Sequence, residues 1–403
     1  MANDREGRPA VTSEAANVLF TLRLPDRTGA AQMALQVSRA FRRRGHGVTL
    51  VHGPLPPEEP SIVPDFCEIG ATTVEETRLD RPWSPLLVSD LAGRARRAGA
   101  RAIIGVNQRD RLPAVLAAAR ANIPAVVMVQ NQHHFWGNGL ISRAKRVAYR
   151  QTVGRYTTLA VCTSEVVKSQ IVRFGVPDAK TVVLPNGIEP APARPPLDPW
   201  RRRELLDDLG LDDRRFVFVS VGRLDPQKGH DLLIDAFART PALAERVQLA
   251  IVGAGGTGDQ LRARWPDELR DRVRNAGLDT TIRFLGWRSD VADVLAAADG
   301  YVHAARWEGP ALPLAVMEAM AAGLPTIFTD CSGPPPWFEE GLDGLMVRAG
   351  DPGALARALA RVAAMSDDDR RAMGARASAL IREHYAIDDI ADRFVELVVG
   401  TWA

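Results

Sequence analysis

Short apolar runs recur along this chain, and each is followed by a stretch that reads as polar loop or helix. The first half carries them at 18–22, 48–51, 102–106, 125–129, 159–162 and 182–184. Runs this short and this rich in Val, Ile and Leu suit strands buried on both faces of a parallel sheet. After 18–22 come a loop at 23–29, a helix over 30–44, the stop Gly45-His46-Gly47 and the next strand. That order opens a doubly wound α/β domain. The segment Pro54 to Pro64 reads as loop, and Thr163-Ser164 caps a helix that starts at Glu165. A second series of runs lies at 216–221, 248–252, 282–285, 300–302 and 326–328. Prolines crowd the stretch from Pro185 to Pro199 and exclude regular structure there. The chain therefore divides into an α/β domain at 1–188 and a second at 189–386.

The composition narrows the function classes. With 51 Lys and Arg against 49 Asp and Glu, the net charge is +2. That gives no support for a nucleic-acid binder. Cys67, Cys162 and Cys331 are far apart and form no C-x-x-C pair, so a disulfide framework or a zinc site is not expected and a reducing cytoplasm fits. Residues 1–16 lack the apolar core of a signal peptide. No apolar run approaches the ~20 residues that span a bilayer. Arg143, Lys145, Arg146, Arg150 and Arg155 cluster, as a solvated helix face or as a peripheral membrane contact.

The stretch 304–326 holds the strongest local signal. Pro313 suits the first turn of a helix, 314–322 is rich in helix formers, and Gly323 with Pro325 stops it. Leu314, Ala315 and Val316 then present amides at the helix start, and no Ser, Thr, Asp or Asn stands beside them as a cap. Free amides and the helix dipole make an anion site, most naturally for a phosphate. Glu318 is the only charged side chain between Gly309 and Thr329. It either accepts hydrogen bonds from sugar hydroxyls or sits on an exposed helix edge. A second constellation follows the strand 216–221. Gly222 lets the chain turn closely, Arg223 offers a fork of donors, and Lys228 adds a point charge. Both cations reach one diphosphate if the loop folds back.

These stretches resemble the retaining, GT-B-fold, family-4 glycosyltransferases. Leu312-Pro-Leu-Ala-Val-Met-Glu318 is similar to the helical half of that family's Glu-(seven residues)-Glu signature, and Glu308-Gly309 to its front half. Here nine residues separate the two acids, with two inserted around Pro310-Ala311. The resemblance implies two Rossmann-like domains facing a cleft, with a last helix in 387–403 crossing back onto the first. It implies that Glu318 holds the ribose, that Glu308 faces the donor sugar, and that the amides of Leu314, Ala315 and Val316 hold the diphosphate. Val221-Gly-Arg-Leu-Asp-Pro-Gln-Lys-Gly229 is similar to the family's phosphate-binding segment, which gives Gly222, Arg223 and Lys228 to the donor. Arg27-Thr28-Gly29 resembles the family's glycine-rich loop near the donor diphosphate, with one glycine where two are usual.

Other motifs carry less. Gly253, Gly255 and Gly258 fit G-x-G-x-x-G, but they lie on the second strand–helix passage of their domain, and no clear acid closes a strand ~20 residues on. The family has a Gly-x-Gly near the nucleotide at this place, so Gly253 counts as a donor contact. Gln130-Asn-Gln-His-His-Phe-Trp136 leaves a strand end where the family often carries a His beside the donor sugar. His133 and His134 are candidates there, or they are ordinary histidines, and Phe135 and Trp136 form an acceptor platform or pack in the core. Trp337 occupies the approximate place of a family acid. Asp367-Asp-Asp369 reads as a helix start, not a metal site.

The expected activity is transfer of a sugar, with retention, from a nucleoside-diphosphate sugar to a hydroxyl. The resemblance implies no metal and no cofactor beyond the nucleotide sugar, with UDP the commonest base and GDP next. The expected acceptor is small and soluble, of the bacterial natural-product kind such as an aminoglycoside precursor. A sugar-nucleotide epimerase on the same fold, or a transferase acting on a cell-surface glycan or lipid-linked acceptor, is the alternative.

Overall fold

Seven strands of the first half pair side by side, all parallel: β1 (Asn17–Leu22), β2 (Gly47–His52), β3 (Thr72–Glu75), β4 (Ala100–Gly105), β5 (Ala125–Val129), β6 (Leu159–Cys162) and β7 (Thr181–Val183). Their spatial order is β3-β2-β1-β4-β5-β6-β7. The second half builds six more: β8 (Phe216–Val221), β9 (Val247–Val252), β10 (Ile282–Gly286), β11 (Gly300–His303), β12 (Thr326–Thr329) and β13 (Leu345–Val347). They order as β10-β9-β8-β11-β12-β13, again all parallel. Each is a doubly wound sheet whose order reverses beside its first strand. The computed structural model describes residues 15–55, 60–81, 84–130, 139–189, 197–255, 260–308, 311–332 and 335–402.

The chain forms two compact units, Met1–Leu184 with Asp388–Ala403, and Pro185–Ile387. The C-terminal residues of the first unit are tied in by charge and by rings. Arg43 pairs with Asp388 at 2.9 Å, Arg101 donates to the Trp402 carbonyl at 2.8 Å, and His46 meets the Trp402 ring edge-on. Leu19, Ile103 and Val127 of the first sheet are buried with Leu91 and Val115 of the covering helices. In the second unit Phe218, Leu249 and Val302 are buried with Phe237 and Leu359. Burial on both faces explains why these strands read as unbroken apolar runs.

Two strands escaped the sequence reading, and both are sheet edges. Thr72–Glu75 is mostly polar and nowhere fully buried, and Leu345–Val347 is three residues long. The expected loop at 54–64 is also shorter than read. A helix already begins at Val63 and takes Pro64 into its first turn, where a missing N–H costs nothing. Among the described residues no helix is long and apolar enough to cross a membrane.

The helix Leu314–Ala321, which carries Glu318, is seated on the helix Asp367–Tyr385. Ser378 Oγ donates to the Ala321 carbonyl at 2.8 Å. Gly374 lies so close that a Cβ there would stand 1.8 Å from the Gly323 carbonyl oxygen. Gly374→Ala must push the two helices apart, and overpacking of this kind costs roughly 1–3 kcal/mol. The expected result is a lower urea midpoint with an unchanged slope, measured by circular dichroism.

Candidate active site

The loop 222–229 and the segment 304–308 leave neighbouring strands, β8 and β11, at the same end of the second sheet. Their sequences explain how they lock together. Asp225 caps the 3₁₀ turn Pro226–Lys228, its Oδ1 accepting from the Gln227 amide at 3.0 Å. The turn carries Lys228 back so that its side chain runs against Gly222. From the other strand, the Arg306 amide donates to the Gln227 carbonyl at 2.8 Å. The Arg306 guanidinium donates to the Pro226 carbonyl at 2.9 Å and forks onto Asp231 at 2.7 and 2.5 Å. Gln227 Nε2 in turn donates to the Trp307 carbonyl at 3.0 Å.

Glu308 is the focus of this lock. Its Oε1 accepts from Lys228 Nζ and from His303 Nε2, the latter at 3.2 Å, and its Oε2 lies 3.4 Å from Gln227 Nε2. Burial alone pushes the Glu308 carboxyl up, but His303 and Lys228 outweigh it and hold the acid down at about 2. His303 is buried, and burial pushes its basicity down. Facing an ionised carboxylate, which only accepts, its Nε2 is the nitrogen that donates. His230 is also buried; burial first, then His303 and Lys228, drive it down to about 3. One imidazole and one ammonium thus meet on a single oxygen of an ionised carboxylate.

Arg223 stands at the open side. It lies 3.4 Å from Asp225 Oδ2, and half of its side chain is exposed. That Oδ2 is buried and takes no hydrogen bond. The guanidinium is aligned by charge and keeps donors for a ligand. Gly253 belongs to the next loop, with φ +145°, and a Cβ on it would stand 1.9 Å from the Gly222 carbonyl. Leu224 donates to the Ala254 carbonyl at 2.8 Å. This close approach accounts for Gly253 physically; Gly258 of the fingerprint lies outside the described residues.

The helix Leu314–Ala321 starts after Pro313, which is its cap residue, not a member of its first turn, and no side chain caps it. The Val316 amide was expected to be free and is not. It donates to the Pro313 carbonyl at 3.0 Å, because the extended Pro313 aims its oxygen into the first turn. Leu314 and Ala315 keep amides without a partner among the described residues. Glu318 likewise has no hydrogen-bond or ionic partner there. Glu318 lies on an exposed edge of the helix, yet protein atoms packed around the carboxyl push it up to about 7. Both Glu308 and Glu318 act on Tyr301: burial first, and then these two charges, raise its phenol.

The structure thus gathers Gly222, Arg223, Lys228, Gly253, Glu308, Leu314, Ala315, Val316 and Glu318 in the second unit. Gly29 belongs to the first unit, as the first residue of the helix Gly29–Arg43, which has no side-chain cap. His133, His134, Phe135 and Trp136 lie outside the described residues. Trp337 stacks on His384 at 5.6 Å and meets Tyr385 edge-on, so it serves packing. Asp367–Asp369 opens a helix capped by Ser366. The sequence reading passed over Asp231 as the partner of Arg306. Only an acid opening the helix His230–Ala238 hinted at it.

Glu318 offers a stability test. An acid whose folded pKa is raised stabilises the fold below its unfolded pKa and loses that contribution as pH rises through the folded one. The advantage of Glu318→Gln over the native protein should therefore grow between pH 4.5 and about 7 and level off above. Melting temperatures of both proteins across that range measure it; parallel curves would show an unperturbed acid.

Residues 27–191 match the family model described as Glycosyltransferase Family 4, and residues 201–379 the one described as Glycosyl transferases group 1. The chain is 28% identical over 253 residues to the UDP-Gal:alpha-D-GlcNAc-diphosphoundecaprenol alpha-1,3-galactosyltransferase of Escherichia coli, covering 61% of this chain and 62% of that protein. It is 31% identical over 247 residues to a D-inositol 3-phosphate glycosyltransferase of Geodermatophilus obscurus, covering 58% and 52%. The chain thus spans between half and two thirds of the length of these relatives. Among solved structures, Anabaena Alr3699/HepE in complex with UDP superposes with a TM-score of 0.80 at 20% identity, covering 95% of this chain and 100% of that one. Such a likeness speaks for the GT-B fold, and the two family matches together span most of the sequence. The chain belongs to the group 1, family 4 glycosyltransferases.

Proposed function

We propose that this chain transfers a sugar, with retention, from a nucleoside-diphosphate sugar to an acceptor hydroxyl. One observation carries the reading: Arg223, Lys228 and the open amides of Leu314 and Ala315 gather positive potential in one unit beside two acids in opposite protonation regimes. In this reading the bond from the anomeric carbon to the diphosphate oxygen breaks, and its electron pair leaves with the diphosphate. The cations and amides stabilise that growing charge more than the ground state. The acceptor oxygen bonds to the anomeric carbon on the same face, and its proton passes to the departing phosphate oxygen. Glu308, ionised, orients the sugar, and Glu318 accepts from the ribose. Fixed cations do the neutralising, so the reading needs no metal.

UDP is the first choice of nucleotide and GDP the second. The E. coli relative is named for UDP-Gal, and the Anabaena structure holds UDP. The acceptor in this reading is a small polyhydroxylated molecule of the natural-product kind; the inositol phosphate relatives support its size and solubility. A lipid-linked acceptor is the second reading. It is favoured by the E. coli relative's name and by the helix Leu140–Tyr149, where Arg143, Lys145 and Val147 are exposed together, with Arg150 and Arg155 following.

A thermal-shift panel of UDP, GDP, ADP, dTDP and NAD tests the donor site. UDP should raise the melting temperature, and Arg223→Ala should weaken UDP about 10- to 100-fold, since a hydrogen bond to a charged group contributes about 1.5–3 kcal/mol. A shift with NAD alone would sink the reading. Once transfer is found, NMR of the product should show the donor's anomeric configuration, and excess EDTA should leave the rate unchanged.

A further inference from the structure

Lys228 is given two tasks that compete. The donor reading sends its ammonium to a diphosphate, while in the structure Lys228 Nζ is engaged by Glu308 Oε1. An ammonium that turns to a dianionic phosphate gives up part of its hold on a single carboxylate. Glu308 is nearly buried, at 13% side-chain exposure. A carboxylate so placed needs another donor to stay ionised and in position.

His303 supplies it. The residue ends β11, and its side chain is 4% exposed. Its Nε2 lies 3.2 Å from Glu308 Oε1, the same oxygen that Lys228 holds. An imidazole this buried, on a strand end, has no rotamer freedom to follow a ligand, whereas a lysine stem does. The third neighbour, Gln227 Nε2, is 3.4 Å from Oε2 and is already committed to the Trp307 carbonyl. We infer that His303 is a positioning residue: it holds Glu308 ionised and aimed at the donor sugar while Lys228 turns to the diphosphate. This deepens the donor-site reading and rests on it.

The inference separates two affinities that a general structural role would move together. UDP binding depends on Arg223 and Lys228; the extra affinity of UDP-glucose over UDP depends on Glu308 standing in place. His303→Phe keeps a ring and removes the donor. His303→Gln places an amide nitrogen near the position of Nε2 and keeps a donor. Calorimetry with UDP and UDP-glucose on the full chain reads the ratio of the two dissociation constants. His303→Phe should shift that ratio against UDP-glucose about 10-fold, the scale of one lost charge-assisted hydrogen bond, and leave UDP within about twofold. His303→Gln should bring the ratio back. His303→Leu carries the same test if the larger ring prevents folding. An unchanged ratio in the donor-less variants, or equal loss of both ligands in folded protein, overturns the inference and leaves the donor site standing. A native chain that binds neither UDP nor UDP-glucose overturns the UDP donor reading, and the inference falls with it.

Discussion

The fork between Arg306 and Asp231 is the contact on which the rest of the site depends. It joins groups 75 residues apart in sequence, one at the start of the helix His230–Ala238 after β8 and the other in the segment after the adjacent β11. The Asp231 side chain is 7% exposed, so its charge has little water to fall back on. Breaking a buried pair by removing one partner typically costs about 3–5 kcal/mol, because the other charge is stranded. The same guanidinium also takes the Pro226 carbonyl, and the Arg306 amide takes that of Gln227. The turn that carries Lys228 is thus fixed from the neighbouring strand. The fork thereby helps bring Lys228 to Glu308.

Backbone geometry makes that meeting possible at the switch in strand order. β8 pairs with β9 on one side and β11 on the other, so the strand order reverses here, the place where open α/β sheets bind ligands. Gly253 lets the loop after β9 press against the Gly222 carbonyl. The helix Leu314–Ala321 then adds two open amides. Positive potential arises here from one guanidinium and one ammonium on the loop after β8 and two N–H groups on the helix Leu314–Ala321. No run of basic residues marks it in the sequence.

The strands and the helix bearing Glu318 were legible because burial writes itself into sequence as apolar runs, and helix ends as proline and glycine. The edge strands Thr72–Glu75 and Leu345–Val347 were not, because an edge strand needs neither length nor two apolar faces. Arg223, Lys228 and Glu318 could be singled out because their types and neighbours are unusual locally, and Glu308 because it falls where the family signature has an acid. Their partners could not. Asp231 is an ordinary acid on a helix start until Arg306 is beside it, and His303 is an ordinary histidine at a strand end until Glu308 folds back on it. The Val316 amide shows the finer limit: whether a helix-start amide is free depends on where one proline carbonyl points, which sequence does not state.

Glu308 and Glu318 look equivalent in the sequence, two acids flanking one helix start. Their surroundings drive them apart. His303 and Lys228 hold Glu308 at about 2, while among the described residues Glu318 meets no cation and is pushed up to about 7. Divergent environments assign divergent chemistry. Glu308 has no proton to give near neutral pH and can only accept, which suits a group that aligns hydroxyls and does not suit a general acid. Glu318, with no cation beside it among the described residues, holds its proton more readily than a free carboxyl. A ligand hydroxyl that donates to it stabilises its ionised form. The helix amides a turn away draw a phosphate at the same time. On the donor-site reading, the unpaired acid and the uncapped helix start are complementary halves of one recognition surface, each left open in the protein because the nucleotide completes it.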